Sequence, residues 1–165
     1  HLRDTNIVFQ LIGDGMKKQE LIKEVEKRKL DDLFIFRDSV PKSEVFKYII
    51  ASDMGASILK KVDTFKTIYS NKTFDYMSCK RPVFLLIDGV SRELVEKADC
   101  GMYLEPENTS EIVSGIKELL QKDKEWFDQK GQNGYDYAKL HFDREVLADQ
   151  YIDILKNVSK KPLHN

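Results

Sequence analysis

The sequence predicts an α/β domain, a Rossmann-like parallel sheet with helices on both faces. Three observations point to it. Short apolar runs alternate with longer amphipathic stretches. Two of those runs end in glycine turns, Gly13-Asp14-Gly15 and Asp88-Gly89. Strands that alternate with helices need crossover connections, which make neighbouring strands parallel and cover the sheet on both sides.

The elements follow in order. Ile7 to Ile12 is an apolar run and reads as a buried strand. Met16 to Lys29 carries Leu21, Ile22 and Val25 at helical spacing. Leu33 to Phe36 is a second short strand. Pro41 to Ala51 is a helix with Val45, Phe46, Ile49 and Ile50 on one face. Met54 to Leu59 is a third strand, rich in small residues. Asn71 to Cys79 is helical and stops before Pro82, with Ser70 or Asn71 as its cap. Val83 to Ile87 is the fourth strand, and Ser91 is placed to cap a helix over Arg92 to Ala98. Gly101 to Leu104 is the fifth. Asn108 and Glu111 have capping-box spacing at the start of a helix over Ser110 to Gln121. Lys124 to Ser159 reads as helices broken near Gly131 to Gly134 and near His141-Phe142.

Composition narrows the function. With 165 residues, the chain suits one domain with a real core. Lys plus Arg number 27 and Asp plus Glu 28, a net charge of -1. Such a balance offers no general attraction to nucleic acid or anionic lipid. Cys79 and Cys100 form no CxxC pattern and read as free thiols of a reducing compartment. No apolar run is long enough to span a bilayer, so the expected location is cytoplasmic. The chain begins at His1 and not at Met, and reads as an excised piece of a longer protein.

Ligands of open α/β sheets bind beyond the carboxyl ends of the strands. The candidate turns are therefore Gly13-Asp14-Gly15, Arg37-Asp38-Ser39, Lys60 to Asn71, and Asp88-Gly89-Val90. Gly13 and Gly15 lack GxGxxG spacing, and a plain sharp turn explains them as well as a phosphate loop does. At Ser70, Asn71 and Lys72, free N–H groups at a helix start and a lysine in the first turn suit a diphosphate. An ordinary helix start with a solvated lysine is the alternative. Asp75, one turn on, can take a ribose diol or merely complement the helix dipole. Cys79 beside Lys80 and Arg81 is a candidate for a lowered pKa or an inert thiol. His1, His141 and His164 have no metal-ligand spacing, so no metal site is expected. There is no GxSxG elbow and no P-loop.

The order of these segments resembles the C-terminal, nucleotide-sugar-binding domain of GT-B glycosyltransferases, the group-1 or family-4 retaining enzymes. The resemblance rests on Ile7 to Gly15 (IVFQLIGDG), Phe34 to Pro41 (FIFRDSVP) and above all Asn71 to Val83 (NKTFDYMSCKRPV). Asp88-Gly89 with Glu93-Leu94-Val95, Cys100-Gly101, and Phe142 to Leu155 extend it. It looks nearest to the branch that builds bacterial surface polysaccharides such as O-antigen or capsule.

The resemblance implies one half of a GT-B fold, spanning residues 1–165, with an N-terminal acceptor domain in cis outside this chain. It implies a nucleoside-diphosphate sugar as donor substrate, no cofactor, and a glycan or lipid-linked acceptor. Peripheral attachment at the inner membrane face would come through the other domain. Donor-binding positions fall on Gly13, Arg37, Ser70, Asn71, Lys72, Asp75 and Gly89, with backbone groups at Arg37 reading the base. Of the family's two glutamates separated by seven residues, the second falls on Asp75 and the first on Thr67, so no catalytic residue is assigned. Lys80 falls where the family usually has Gly. The family's phosphate-binding Arg and Lys would precede residue 1, and the chain alone is expected to be inactive. Two alternatives stay open. One is a nucleotide-sugar epimerase of the same fold, distinguished by an acid–base pair in the other domain. The other is a non-enzymatic α/β binding or receiver-like module; a receiver would want an acidic pair after its first strand and a phosphorylatable Asp after its third, where Lys60-Lys61 stands.

Overall fold

The structure is a computed structural model and describes residues 5–159; His1 and His164 lie outside them. The chain forms two compact units, His1–Tyr48 and Ile49–Asn165.

In the first unit, β1 (Phe9–Ile12) and β2 (Phe34–Arg37) pair in parallel, Phe9 beside Phe34 and Ile12 beside Arg37. The crossover is α1 (Lys18–Arg28), followed by a 3-10 turn at Asp31–Leu33. Phe34 stacks between Phe9 and Phe36, with ring centroids 5.2 and 6.4 Å away. The Phe9–Phe34 pair crosses the two strands, while Phe36 lies two residues on along β2; cross-strand aromatic pairs add to the stability of a ladder. α2 (Lys42–Ala51) follows and carries the boundary between the units.

The second unit holds β3 (Gly55–Ile58), β4 (Val83–Leu86) and β5 (Gly101–Tyr103), all parallel, with β4 in the middle. The crossovers are α3 (Asn71–Ser78) and α4 (Val90–Lys97). Then come α5 (Thr109–Leu119), α6 (Lys124–Phe142) and α7 (Arg144–Ser159). The five expected strands are present, four of them shorter than expected and β2 shifted by one residue, and they fall in two hydrogen-bonded sheets.

The core lies around β4, which is buried along its whole length. Val83, Leu85 and Ile87 pack with Met77 of α3, Leu94 and Val95 of α4, Ala98 and Cys100. An unbroken apolar run is what a strand with both faces covered requires. At Gly55, any Cβ would fall 2.2 Å from the Tyr76 ring. The missing side chain lets that ring lie on β3, where its hydroxyl donates to Ala56 O at 3.1 Å.

Three expectations are corrected. α6 runs unbroken through Gly131 and Gly134. A Cβ at Gly131 would stand 2.1 Å from Lys80 O, and one at Gly134 would stand 3.0 Å from Cys100 Cβ. The glycines thus form a close-packing face, not a break. The predicted break at His141-Phe142 is found, with Asp143 extended between α6 and α7. Ser91 does not cap α4, which begins at Val90, two residues earlier than expected, with Gly89 in the cap position; the Ser91 hydroxyl donates to Ile68 O at 2.9 Å. Ser70 and Asn71 place no side chain on the start of α3. By contrast, Asn108 does cap α5, accepting from Glu111 N at 3.3 Å. The Glu111 carboxylate accepts from the Asn108 side-chain amide at 2.8 Å and from Glu105 N at 3.0 Å.

Candidate functional site

The second unit gathers most of the expected residues at the carboxyl end of β3. The chain leaves β3, makes a 3-10 turn at Asp63–Thr67, and enters α3 at Asn71. Gly89 fixes this loop. Its φ is +81°, and a Cβ would overlap Lys66 O at 2.1 Å. Gly89 therefore lets the loop close over the turn between β4 and α4, and the bond from Ser91 to Ile68 O secures it. Thr67 is exposed and donates its hydroxyl to Thr64 O at 3.1 Å.

At the start of α3, Ser70 turns its hydroxyl inward. Thr73 Oγ1 donates to Ser57 Oγ at 3.2 Å, and Ser57 Oγ donates to Ser70 Oγ at 2.9 Å. Ser57 and Thr73 are fully buried, so this chain satisfies hydroxyls that water cannot reach. The first turn keeps no side-chain cap, with Asn71 and Lys72 exposed and Asp75 half-buried one turn on. Lys72 has no ion-pair partner among the described residues, whereas Lys61, Lys66 and Arg92 each have one. Lys61 pairs with Glu105 at 2.5 Å and Lys66 with Asp63 at 3.0 Å. Arg92 pairs with Glu96 at 2.7 Å and lies 4.3 Å over the Tyr103 ring. Tyr103 donates to Glu105 at 2.7 Å, and burial, then that bond, push its phenol up.

Gly13 and Arg37 belong to the first unit, at the carboxyl ends of β1 and β2. Gly13 has φ +143°, and a Cβ there would meet no atom within 4 Å. Gly15 has neither a positive φ nor a close neighbour, so only Gly13 needs to be glycine for the turn. The Arg37 guanidinium bonds Gln10 Oε1 at 2.9 Å and lies 5.4 Å over the Tyr48 ring. The Arg37 carbonyl accepts from Gly13 N at 3.2 Å and from Lys18 Nζ at 3.1 Å. Both of its lone pairs are engaged.

No group of His, Cys, Asp and Glu among the described residues is placed to hold a metal ion. No helix among them is long and apolar enough to cross a membrane. Cys79 and Cys100 are free thiols. The lowered pKa considered for Cys79 is corrected, since burial raises it, and burial pushes Cys100 up to about 12. A hollow of about 540 Å³ is lined by Asp53, Arg81, Lys124, Phe127 and Asp128. None of the expected donor residues lines it.

A sequence model described as "Glycosyl transferases group 1" matches residues 1–122. The chain belongs to the group 1 glycosyl transferases. Its fold is similar to that of several solved proteins. Anabaena Alr3699/HepE, solved in complex with UDP-glucose, has a TM-score of 0.74 at 21% identity, covering 91% of this chain and 41% of that one. Sucrose-phosphate synthase from Thermosynechococcus elongatus has a TM-score of 0.73 at 18% identity, over 90% of this chain and 38% of that one. The C-terminal domain of the group 1 family protein LpcC from Francisella tularensis has a TM-score of 0.63 at 22% identity, over 77% of this chain and 63% of that one. This glycosyl transferase chain therefore spans less than two thirds of each. A deoxyguanosine kinase of Lactobacillus acidophilus is 27% identical over 125 residues, 68% of this chain and 55% of that one. This chain has no GxxxxGK[ST] phosphate loop.

In this family member, sequence reasoning missed two features. One is the clasp of Lys66 on Gly89; the glycine was visible, but its distant neighbour was not. The other is Lys18. Two lysines open α1 at its positive dipole end, where cations are disfavoured. That wrong-signed placement was the available signal.

Proposed function

We propose that this chain is the donor-binding C-terminal domain of a two-domain retaining glycosyltransferase. The single observation that carries the reading is the first turn of α3. It combines uncapped helix-start amides, an exposed and unpaired Lys72, and Asp75 one turn on. Amides at a helix start and an ammonium suit a diphosphate, and a carboxylate suits a ribose diol. Membership of the group 1 family supports the assignment.

The donor is a nucleoside-diphosphate sugar. Attack on the same face as the departing diphosphate retains the anomeric configuration. The amides and Lys72 stabilise the charge that develops on the leaving group. Ser70 and Gly89 hold the loop that approaches the donor, and Gly13 leaves open space at its turn. Thr67 offers no carboxylate, so the chemistry at that position does not rest on one. An N-terminal domain in cis supplies the acceptor wall, and the acceptor is a glycan or lipid-linked saccharide of a bacterial surface polysaccharide, met at the cytoplasmic face of the membrane. Closure of the two domains would desolvate and orient the donor.

Asp75 gives the test. Asp75→Asn is expected to weaken nucleotide binding by roughly 1–3 kcal/mol, the loss of a charge-assisted hydrogen bond. Isothermal titration should also show 2′,3′-dideoxynucleotides binding the parent chain as poorly. Equal affinity for ribo and dideoxy forms would remove Asp75 from the site.

A further inference from the structure

Asp53 and Arg81 stand just before β3 and β4, at the amino end of the larger unit's sheet. With Lys124, Phe127 and Asp128 of α6 they line the hollow of about 540 Å³. A second hollow of about 510 Å³ shares Lys124 and Asp128 and continues along α6 past Glu125, Gln129 and Gln132. The two form one groove beside the first turns of α6, and each is of the size that takes a small ligand. The turn that enters α3 lies at the other end of the strands.

The lining decides what fits. Two cations, Arg81 and Lys124, meet three carboxylates, Asp53, Glu125 and Asp128, and Lys124 already pairs with Asp128. That balance leaves no excess positive charge for a phosphate. The carboxylates belong to no group placed to hold a metal ion. What remains is directional bonding. The Arg81 guanidinium is anchored by Nη2, which donates to Ile50 O at 2.5 Å, while its buried Nε–H has no acceptor. A buried donor left unpaired is costly, so an oxygen that reaches it is held firmly. Gln129 and Gln132 donate their amide N–H groups to Asn133 Oδ1 at 2.7 Å and Asp136 Oδ1 at 2.8 Å, which leaves their carbonyl oxygens as acceptors. Phe127 adds a half-buried aromatic face, its ring 5.1 Å from that of Trp126. Planar carboxylate, amide and guanidinium groups suit hydroxyls, which both donate and accept, and an aromatic face suits the C–H side of a sugar ring. We propose that this groove is a binding site for a neutral oligosaccharide. It does not depend on the donor-site reading, and it would tether a glycan at the end of the unit opposite the α3 turn.

The experiment titrates the chain with maltotriose, cellotriose and the β-1,4-linked trimer of N-acetylglucosamine, and separately with UDP and inorganic phosphate. Amide NMR shifts report the place, and fluorescence of Trp126, the single tryptophan of the sequence, reports the affinity. At least one trisaccharide should give saturable shifts at residues 53, 81 and 124–132 and at the Arg81 Nε–H, which UDP and phosphate leave unmoved. Phe127→Leu, which keeps apolar bulk and loses the aromatic face, should weaken that trisaccharide about fivefold, and Asp53→Asn about threefold, with no change for UDP. Failure of all three trisaccharides to shift the groove overturns the proposal and leaves the donor-site reading standing. Phosphate binding there more tightly than any of the sugars overturns it too. Should Phe127→Leu fail to fold, the exposed Gln129→Ala decides: unchanged affinity in it and in Asp53→Asn removes the sugar from the groove.

Discussion

In the unit Ile49–Asn165 the central strand β4 is buried over its whole length, whereas in His1–Tyr48 no residue of β1 is, and Leu33 is the only described residue classed as buried. The larger unit is held by apolar packing around Leu85 and Met77, both 0% exposed. The smaller one relies on an aromatic stack and on the Asp14–Lys18–Asp38 bonds. The difference teaches where each unit can afford to be exact. Apolar packing has no charge to titrate or to screen, while a charged brace orients backbone with directional bonds and is sensitive to pH and to screening by salt.

The largest effect is expected from the packed unit. Leu85→Ala should destabilise it by about 2–5 kcal/mol, the range for a buried leucine that leaves a cavity. Leu11→Ala in half-buried β1 should cost less than about 2 kcal/mol. Native-state hydrogen exchange reads each unit separately. Equal losses would break the contrast.

A smaller, pH-dependent effect sharpens it. The bond from Lys18, then that from Ser39 N, holds the Asp14 carboxyl below its ordinary value. A depressed carboxyl contributes stability that is present above its unfolded pKa and lost as pH falls through the folded one. Lys18 is raised, by Asp38 first and then Asp14, so its contribution is full below its unfolded pKa and is lost as pH rises through the folded one. The brace is therefore intact through neutral pH. Protection of the Ser39 amide, corrected for intrinsic exchange, should fall below about pH 4, where carboxylates take up protons. Amides of β4 should not follow. Parallel loss in both units would mean that the charges hold nothing local.

Much of this was legible in the sequence. The β4 run announced a strand with both faces covered, and Asn108 with Glu111 announced the start of α5. Helix ends were harder. Lys29, Lys80 and Asp99 all sit in the left-handed region just past a helix, at φ 54°, 54° and 46°, with the reverse hydrogen bonds of a Schellman ending. Glycine usually marks that position, and here none does. Lys80 keeps the backbone that the family's glycine implied and lays its ammonium 4.8 Å over the Tyr135 ring. Gly131 and Gly134 misled for the converse reason, because a glycine in a helix can serve close packing as well as a break. The place of Asn71, Lys72 and Asp75 at the start of a helix was readable from the sequence. The inward turn of Ser70 depended on Ser57, thirteen residues away, and no local pattern encodes it.

The central claim is that the first turn of α3 receives the diphosphate. The most direct measurement titrates parent and Lys72→Ala chains with UDP and with uridine, following amide NMR shifts. UDP should shift the amides of residues 70–75. Lys72→Ala should weaken UDP by about 0.3–1 kcal/mol, the scale of one exposed charge at a helix end, and added salt should shrink that difference. Uridine should bind both chains alike. A substitution that weakens UDP and uridine equally, or leaves both unchanged, would contradict the assignment.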